Sequence, residues 1–398
     1  MKYIIIVGDG MADYAIEELG GKTPLQVAHT PNFDKMAQEG VVGLAKTIPN
    51  DLPAGSDVAN LSVLGYDPHT YYTGRASLEA ISKGITLEKN EVAFRCNLVS
   101  IEDGRMADYS AGHIDTFEAE KFIDLLNQKM SKHDVEFYLG TSYRNLMITS
   151  LIPVNSFKDI KCTPPHDITG KSIIEYLPKG PRSEILTEIM FNSQNILKEN
   201  ELNLVRRLHN KKEVSMIWLW GLGYLPSMVK FNDLYSLRGA NISAVDLIKG
   251  ISICMGFEVI DVPGATGYYD TDYLSKANHA LEVLKNHDLV YIHIEAPDEA
   301  SHNGELKEKI KAIEEIDEKV VGVILDRIKE HKEYKMLLIT DHYTPLSTKT
   351  HSREPVPFIV YGTSIKKDEI SSFNEESAKN SALYFEEGYK IMKWFLER

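Results

Sequence analysis

The sequence predicts an α/β fold: a mostly parallel sheet flanked by helices, with a smaller α+β domain inserted into it. Three observations carry that prediction. Short apolar runs rich in branched residues recur at residues 3–7, 289–294, 336–340 and 357–361. Stretches of helical length and period, at residues 244–255, 272–286 and 306–329, are set among them. Between about residues 76 and 230 the texture changes to apolar alternation, as in residues 136–149, and to Pro-rich loops such as Thr163-Pro164-Pro165-His166-Asp167. Because repeated strand–helix order builds parallel sheets, residues 1–75 and 231–398 read as one core and 76–230 as the insert.

Each element has a local reason. Residues 3–7 form a continuous apolar run closed by Gly8, the pattern of a strand covered on both faces, and Asp9 falls at its carboxyl end. In open α/β sheets that edge is where sites collect. Residues 30–40 read as a capped helix with Pro31 at its first position and Gly40 at its end. In Asn50-Asp51-Leu52-Pro53-Ala54-Gly55, Pro53 and Gly55 supply a turn, and Ser56-Asp57 supply cap chemistry for a helix that buries Val58, Leu61 and Leu64. Downstream, residues 258–262 read as a strand, 365–380 as a polar surface loop, and 383–396 as an amphipathic helix carrying Tyr384, Ile391, Trp394 and Phe395. Residues 214–229 carry no charge, yet Gly221, Gly223 and Pro226 interrupt them, which favours a buried strand and turn over a membrane span.

Composition narrows the function. The chain of 398 residues has 44 Lys+Arg against 58 Asp+Glu, a net charge of -14, and no long basic run, so a nucleic-acid surface is not expected. An acidic protein that handles an anion must gather its cations locally. Cys96, Cys162 and Cys254 form no C-x-x-C, so neither a thiolate zinc site nor a disulfide framework is expected. A reducing cytoplasm fits that pattern, and the amino terminus lacks the length and cleavage pattern of a signal peptide. The number of subunits is left open.

The chemistry lies in scattered Asp, His and Ser residues. A serine at a helix start has its hydroxyl beside free N–H groups and the positive end of the helix dipole, which suits a phosphoryl group. Asp298 and His302 are four apart, so on a helix they share a face and can grip one cation. Asp341 and His342 follow an apolar strand; strand neighbours point to opposite faces, so both reach one site only where the chain has turned, as Tyr343-Thr344-Pro345 allows. His351 stands just before the run 357–361. Together with Asp9, these give three carboxylates and three imidazoles, two sites of mixed oxygen and nitrogen character that suit manganese, zinc or cobalt rather than calcium.

In this order these residues resemble the alkaline phosphatase superfamily of metalloenzymes. Longer words narrow the resemblance: Asp9-Gly10-Met11-Ala12-Asp13, Ala54-Gly55-Ser56-Asp57-Val58-Ala59-Asn60, Ile217-Trp218-Leu219-Trp220-Gly221, Pro263-Gly264-Ala265-Thr266-Gly267-Tyr268 and Glu295-Ala296-Pro297-Asp298-Glu299-Ala300. They are similar to the archaeal-type cofactor-independent phosphoglycerate mutases, nearly end to end. The resemblance implies an alkaline-phosphatase-like core and two divalent cations, Mn2+ ahead of Zn2+, Co2+ or Mg2+. It puts Asp298, His302 and His351 on one, and Asp9, Ser56, Asp341 and His342 on the other. It further implies that Ser56 takes the phosphoryl group from 3-phosphoglycerate and returns it to the neighbouring hydroxyl, without bisphosphoglycerate. In the insert, His113 is the expected acid or base and Asp167 a second proton carrier. Arg144 and, from the core, Lys249 are expected to clamp the anionic substrate. The alternatives are a phosphatase or a phosphopentomutase-like enzyme of the same superfamily, or a metal-binding protein without catalysis. The last has no use for a serine set among ligands.

Overall fold

The computed structural model describes residues 1–130, 134–198 and 200–398. It divides into two compact units, Met1–Tyr72 with Ser227–Arg398, and Thr73–Pro226. Strands β1 (Lys2–Gly8) and β2 (Val41–Ala45) precede the second unit. Within it lie β3 (Val92–Glu102), β4 (Arg105–Asp108), β5 (Val135–Thr141), β6 (Arg144–Thr149) and β7 (Met216–Tyr224). After it come β8 (Gly239–Ile242), β9 (Glu258–Val259), β10 (Leu289–Ile294), β11 (Tyr334–Ile339), β12 (Val356–Gly362) and β13 (Tyr384–Phe385).

In the first unit the sheet order is β13-β2-β12-β11-β1-β10-β8-β9. β1 runs parallel to both β10 and β11, and of the eight strands β12 alone runs against its neighbours. Alternation along the central strands puts Ile4, Ile6, Val290, Ile292, Ile294, Met336 and Leu338 into one apolar core. Phe33 and Met36 of helix Pro31–Glu39, Ala277 and Ala280 of helix Tyr273–Val283, and Ile313 of helix Leu306–Glu315 close over it. Each fully buried aliphatic side chain of this kind contributes about 1.5–3 kcal/mol. The intervening residues Tyr291 and His293 take the opposite face. Helix Ser56–Val63 is buried on all sides. Lys335 is buried too, and its Nζ donates to the carbonyls of Phe395 and Leu396, the last turn of helix Lys390–Glu397. A cation there satisfies helix-end carbonyls that otherwise lack partners.

Several expectations need correction. The stretch 383–396 is not one helix: Tyr384–Phe385 pairs with β2, and the helix begins only at Lys390. Gly388 separates the two, where a Cβ would meet the Lys46 carbonyl at 2.4 Å. The polar stretch 365–380 holds helix Glu375–Lys379, and Glu375 is buried, accepting from the Asp13 N–H and the Thr23 hydroxyl. Local polarity hid these long-range partners. The expected strand at 258–262 is only Glu258–Val259. The long helix expected at 306–329 contains a wider π-type turn at Ile316–Gly322, where Asp317 accepts from Asn32 and Phe33 at the start of helix Pro31–Glu39.

The second unit has an antiparallel five-stranded sheet in which β3 pairs with β4, β6 and β7. Val92, Phe94, Cys96 and Leu98 face a core with Phe122, Met190 and Trp218, while Ala93 faces helix Arg75–Ser82 through Ala76 and Ala80. No helix among the described residues is long and apolar enough to cross a membrane.

Candidate active site

The central strands β10, β1 and β11 are neighbours, so the residues just past their carboxyl ends meet in space. Asp9 follows β1, helix Ala296–Asn303 with Asp298 follows β10, and Asp341-His342 follow β11. β11 ends at Ile339, so Asp341 and His342 lie beyond the pleat and both join one cluster. The N–H groups of Gly10 and His342 donate to Asp341 Oδ1 at 3.2 and 2.9 Å.

Ser56 differs from its expected capping role. Gly55 holds the N-cap position, no side chain caps the helix, and Ser56 is its first residue. Its hydroxyl lies 3.1 Å from His342 Nε2. One turn on, the Asn60 amide donates to the Ser56 carbonyl at 2.8 Å and to Asp341 Oδ2 at 2.9 Å, and its oxygen accepts from the Tyr291 hydroxyl. The helix is thereby fixed to the strand ends. His342 Nε2 also lies 3.3 Å from Asp9 Oδ1.

The second group centres on Asp298. Its Oδ2 is 3.1 Å from His302 Nε2 and its Oδ1 is 3.5 Å from His351 Nε2, while the two imidazole nitrogens are 3.0 Å apart. His302 Nδ1 faces the Lys349 carbonyl at 2.9 Å. Between the two groups runs Gly10, at φ +62, where a Cβ would sit 2.7 Å from both Asp298 Oδ1 and Thr344 Oγ1. Only glycine passes there.

The electrostatics call for positive charge. Burial, then the carboxylates of Asp341, Asp298 and Glu295, push the Asp9 carboxyl well above its usual range. Burial, then Asp298, does the same to Glu295. Burial alone would raise Asp298, but hydrogen bonds from His302 and His351 hold it well below. Burial drives His293 down to about 4, which keeps it neutral. Both Asp9 oxygens, both His293 ring nitrogens and Glu295 Oε2 are buried without a hydrogen bond. Ligand atoms of Asp298, His342 and His351 lie within 4.8 Å of one another, as do those of Asp9, His293 and Asp341, and those of Asp9, Glu295 and Asp298. Carboxylates and imidazoles with unsatisfied lone pairs, crowded this closely, fit divalent cations.

The structure thus gathers Asp9, Ser56, Asp298, His302, Asp341, His342 and His351. Lys249, on helix Asp246–Met255, has its Nζ 2.8 Å from Asp261 Oδ1. His113, Arg144 and Asp167 belong to the second unit. There His113, exposed and at φ 50, has its ring 6.1 Å from that of Tyr143, and the Arg144 guanidinium lies 5.2 Å over the same ring. Asp167 Oδ1 is 3.6 Å from His166 Nε2, and the His166 ring packs edge-on against Trp220 at 5.4 Å. Sequence reasoning passed over His293, Glu295, Asn60 and Thr344. The signal was present for two of them: Tyr291 and His293 are polar at alternate positions in an otherwise apolar strand and Glu295 continues the spacing just past its end, a period of two that reading the run as uniformly buried concealed.

Asp and His residues gathered past the strand ends of a mostly parallel sheet define an α/β protein with its candidate site at the carboxyl edge of that sheet. The chain is 51% identical over 385 residues to 2,3-bisphosphoglycerate-independent phosphoglycerate mutase of Methanosarcina barkeri, covering 96% of each, and 46% identical to that enzyme's form 2 from Methanothermobacter thermautotrophicus, covering 100% and 98%. The chain belongs to the 2,3-bisphosphoglycerate-independent phosphoglycerate mutase family. The family model of that description matches residues 37–203. Among solved structures, the PH0037 protein from Pyrococcus horikoshii superposes with a TM-score of 0.83 at 30% identity, covering 100% of this chain and 96% of that one. The cofactor-independent phosphoglycerate mutase from Thermoplasma acidophilum has a TM-score of 0.68 at 24% identity, covering 100% and 99%, a likeness of fold.

Proposed function

We propose that the chain interconverts 3-phosphoglycerate and 2-phosphoglycerate through a phosphoserine at Ser56, without bisphosphoglycerate. The observation that carries this reading is the Ser56 hydroxyl, 3.1 Å from His342 Nε2 at the first position of a buried helix, with the same nitrogen 3.3 Å from Asp9, whose carboxylate oxygens make no hydrogen bond. Asp298, His302 and His351 would hold one divalent cation, and Asp9, Ser56, Asp341 and His342 the other, with Mn2+ the expected ion. When bound, the cations supply charge neutralisation for the phosphoryl group and a lowered hydroxyl pKa.

Ser56 Oγ gives up its proton and attacks phosphorus; the Oγ–P bond forms, the P–O bond to the C3 oxygen breaks, and that oxygen takes up a proton. The C2 hydroxyl then loses its proton and attacks the same phosphorus, breaking the Oγ–P bond and restoring the serine. Backbone N–H groups at the start of helix Ser56–Val63 favour the anion throughout. Asn60 keeps Ser56 and Asp341 in register during both steps. From the second unit, His113 is assigned the proton transfers, with Asp167 as a second carrier, and Arg144 the substrate's negative groups; Lys249 is retained as a further anion clamp.

An enolase-coupled assay without added bisphosphoglycerate, with and without chelator, tests the reading. Turnover should need divalent metal and vanish in Ser56→Ala. A steady release of inorganic phosphate in place of isomerisation would instead support a phosphatase, and turnover surviving in Ser56→Ala would remove the covalent step.

A further inference from the structure

His293 stands one residue inside the end of β10, the strand next to β1, in register with Val7. Val290, Ile292 and Ile294 belong to the apolar core, so His293 and Tyr291 point to the face that carries the site. Tyr291 confirms that direction by donating to Asn60. His293 Nε2 lies 3.2 Å from Asp9 Oδ2, while the other Asp9 oxygen faces His342 Nε2 at 3.3 Å. Asp9 is therefore flanked by an imidazole on each oxygen. His293 is completely buried, and neither of its ring nitrogens makes a hydrogen bond, nor does either Asp9 oxygen. Leaving such groups unsatisfied forfeits their hydration with nothing in return, so an imidazole of this kind inside a core calls for a partner.

Its near neighbours are acceptors. Asp9 is one and Glu295, with Oε2 4.0 Å from Nδ1, is another; the Lys276 ammonium donates to the His293 carbonyl. One ligand atom from each of Asp9, His293 and Asp341 lies within 4.8 Å of the other two. Two donors at about 2.0–2.2 Å on opposite sides of one ion are separated by a little over 4 Å, so a small side-chain adjustment brings the three onto one ion.

We propose that His293 is a ligand of the cation held by Asp9, an imidazole donor in addition to His342 at that centre. The assignment rests on the two-cation reading above. It gives that centre two imidazoles, one from β10 and one from the loop after β11, on either side of the Asp9 carboxylate.

The test uses the full-length chain and Mn2+ as the probe. With 15N-labelled histidine, pulsed EPR of the Mn2+-loaded wild type should count four coordinated imidazole nitrogens, from His293, His302, His342 and His351. Three would overturn the assignment while leaving the two-cation reading intact. Calorimetric titration of His293→Gln should show one of two Mn2+ affinities falling by about 100-fold and the other unchanged, with one nitrogen coupling lost. Two unchanged affinities, with only a lowered melting temperature, would make His293 a packing residue. A wild type that binds no Mn2+ would overturn both this assignment and the reading beneath it.

Discussion

Nδ1 of His342 lies 3.1 Å from the hydroxyl of Thr344, and that hydroxyl also bonds to Asp298 Oδ1. A carboxylate only accepts, so the single hydroxyl proton goes to Asp298 and the oxygen accepts from His342 Nδ1–H. This leaves the lone pair on Nε2, the nitrogen facing Ser56 and Asp9. One side chain thus sets the tautomer in one donor group and orients the carboxylate of the other. Thr344→Val, which keeps the shape and removes the hydroxyl, should weaken Mn2+ binding by about 10–100-fold, and Thr344→Ser should restore most of it. Titration calorimetry of both variants checks this; a valine variant with wild-type affinity would refute the relay.

The two donor groups differ in access. The His302 side chain is 33% exposed, whereas Asp9, Asp341 and His342 are fully enclosed. A chelator should therefore strip bound Mn2+ in two phases, the Asp298 centre first. Loss of a ligand present at 100 times its Kd removes about 2.7 kcal/mol of stability, so the melting temperature should fall in two steps as well. Stopped-flow chelation followed by calorimetry would register a single phase if the centres were equivalent.

Proton release should accompany metal uptake. Although burial opposes it, the hydrogen bond to Asp298 lifts His302 to about 9, so at neutral pH the metal-free imidazole is protonated. A cation must displace that proton, so affinity at this centre should rise with pH up to about 9 and level off above it. Titrations at pH 7 in buffers of different ionisation heat should yield about one proton per ion from this pair; none would mean that the imidazole is already neutral.

Behind the site, Lys309 is fully buried, its ammonium donating to Asp13 Oδ2 at 2.8 Å, the Thr344 carbonyl at 3.0 Å and the Ala12 carbonyl at 3.4 Å. Asp13 in turn receives the Leu346 N–H at 3.1 Å. The pair ties the loop after β1 to the loop after β11. Lys309→Met should destabilise the fold by about 3–5 kcal/mol, because it strands the Asp13 carboxylate, and Lys309→Met with Asp13→Asn should recover part of the loss. Urea denaturation of both variants measures it.

Much of this arrangement was legible in advance for a definite reason. Asp9, Asp298, Asp341 and His342 each follow an apolar run, and the end of a strand is a local property of sequence. The helix-start position of Ser56 was legible too, but not that Gly55 would take the cap, because capping depends on where the first N–H groups point. His293 was missed because it lies inside an apolar run rather than after it, and only the pairing of β10 with β1 brings it to Asp9. Glu375 and the short strand at Tyr384–Phe385 were missed because their partners, Asp13, Thr23 and β2, are more than three hundred residues away.

At Gly10 the wall between the two donor groups is a single peptide unit. Its N–H holds Asp341, and its α-carbon leaves no room beside Asp298 and Thr344. A shift of the main chain at that residue disturbs both groups together. A side chain added at that one position would therefore be felt at Asp298 and at Asp341 alike, although each group keeps its own donors.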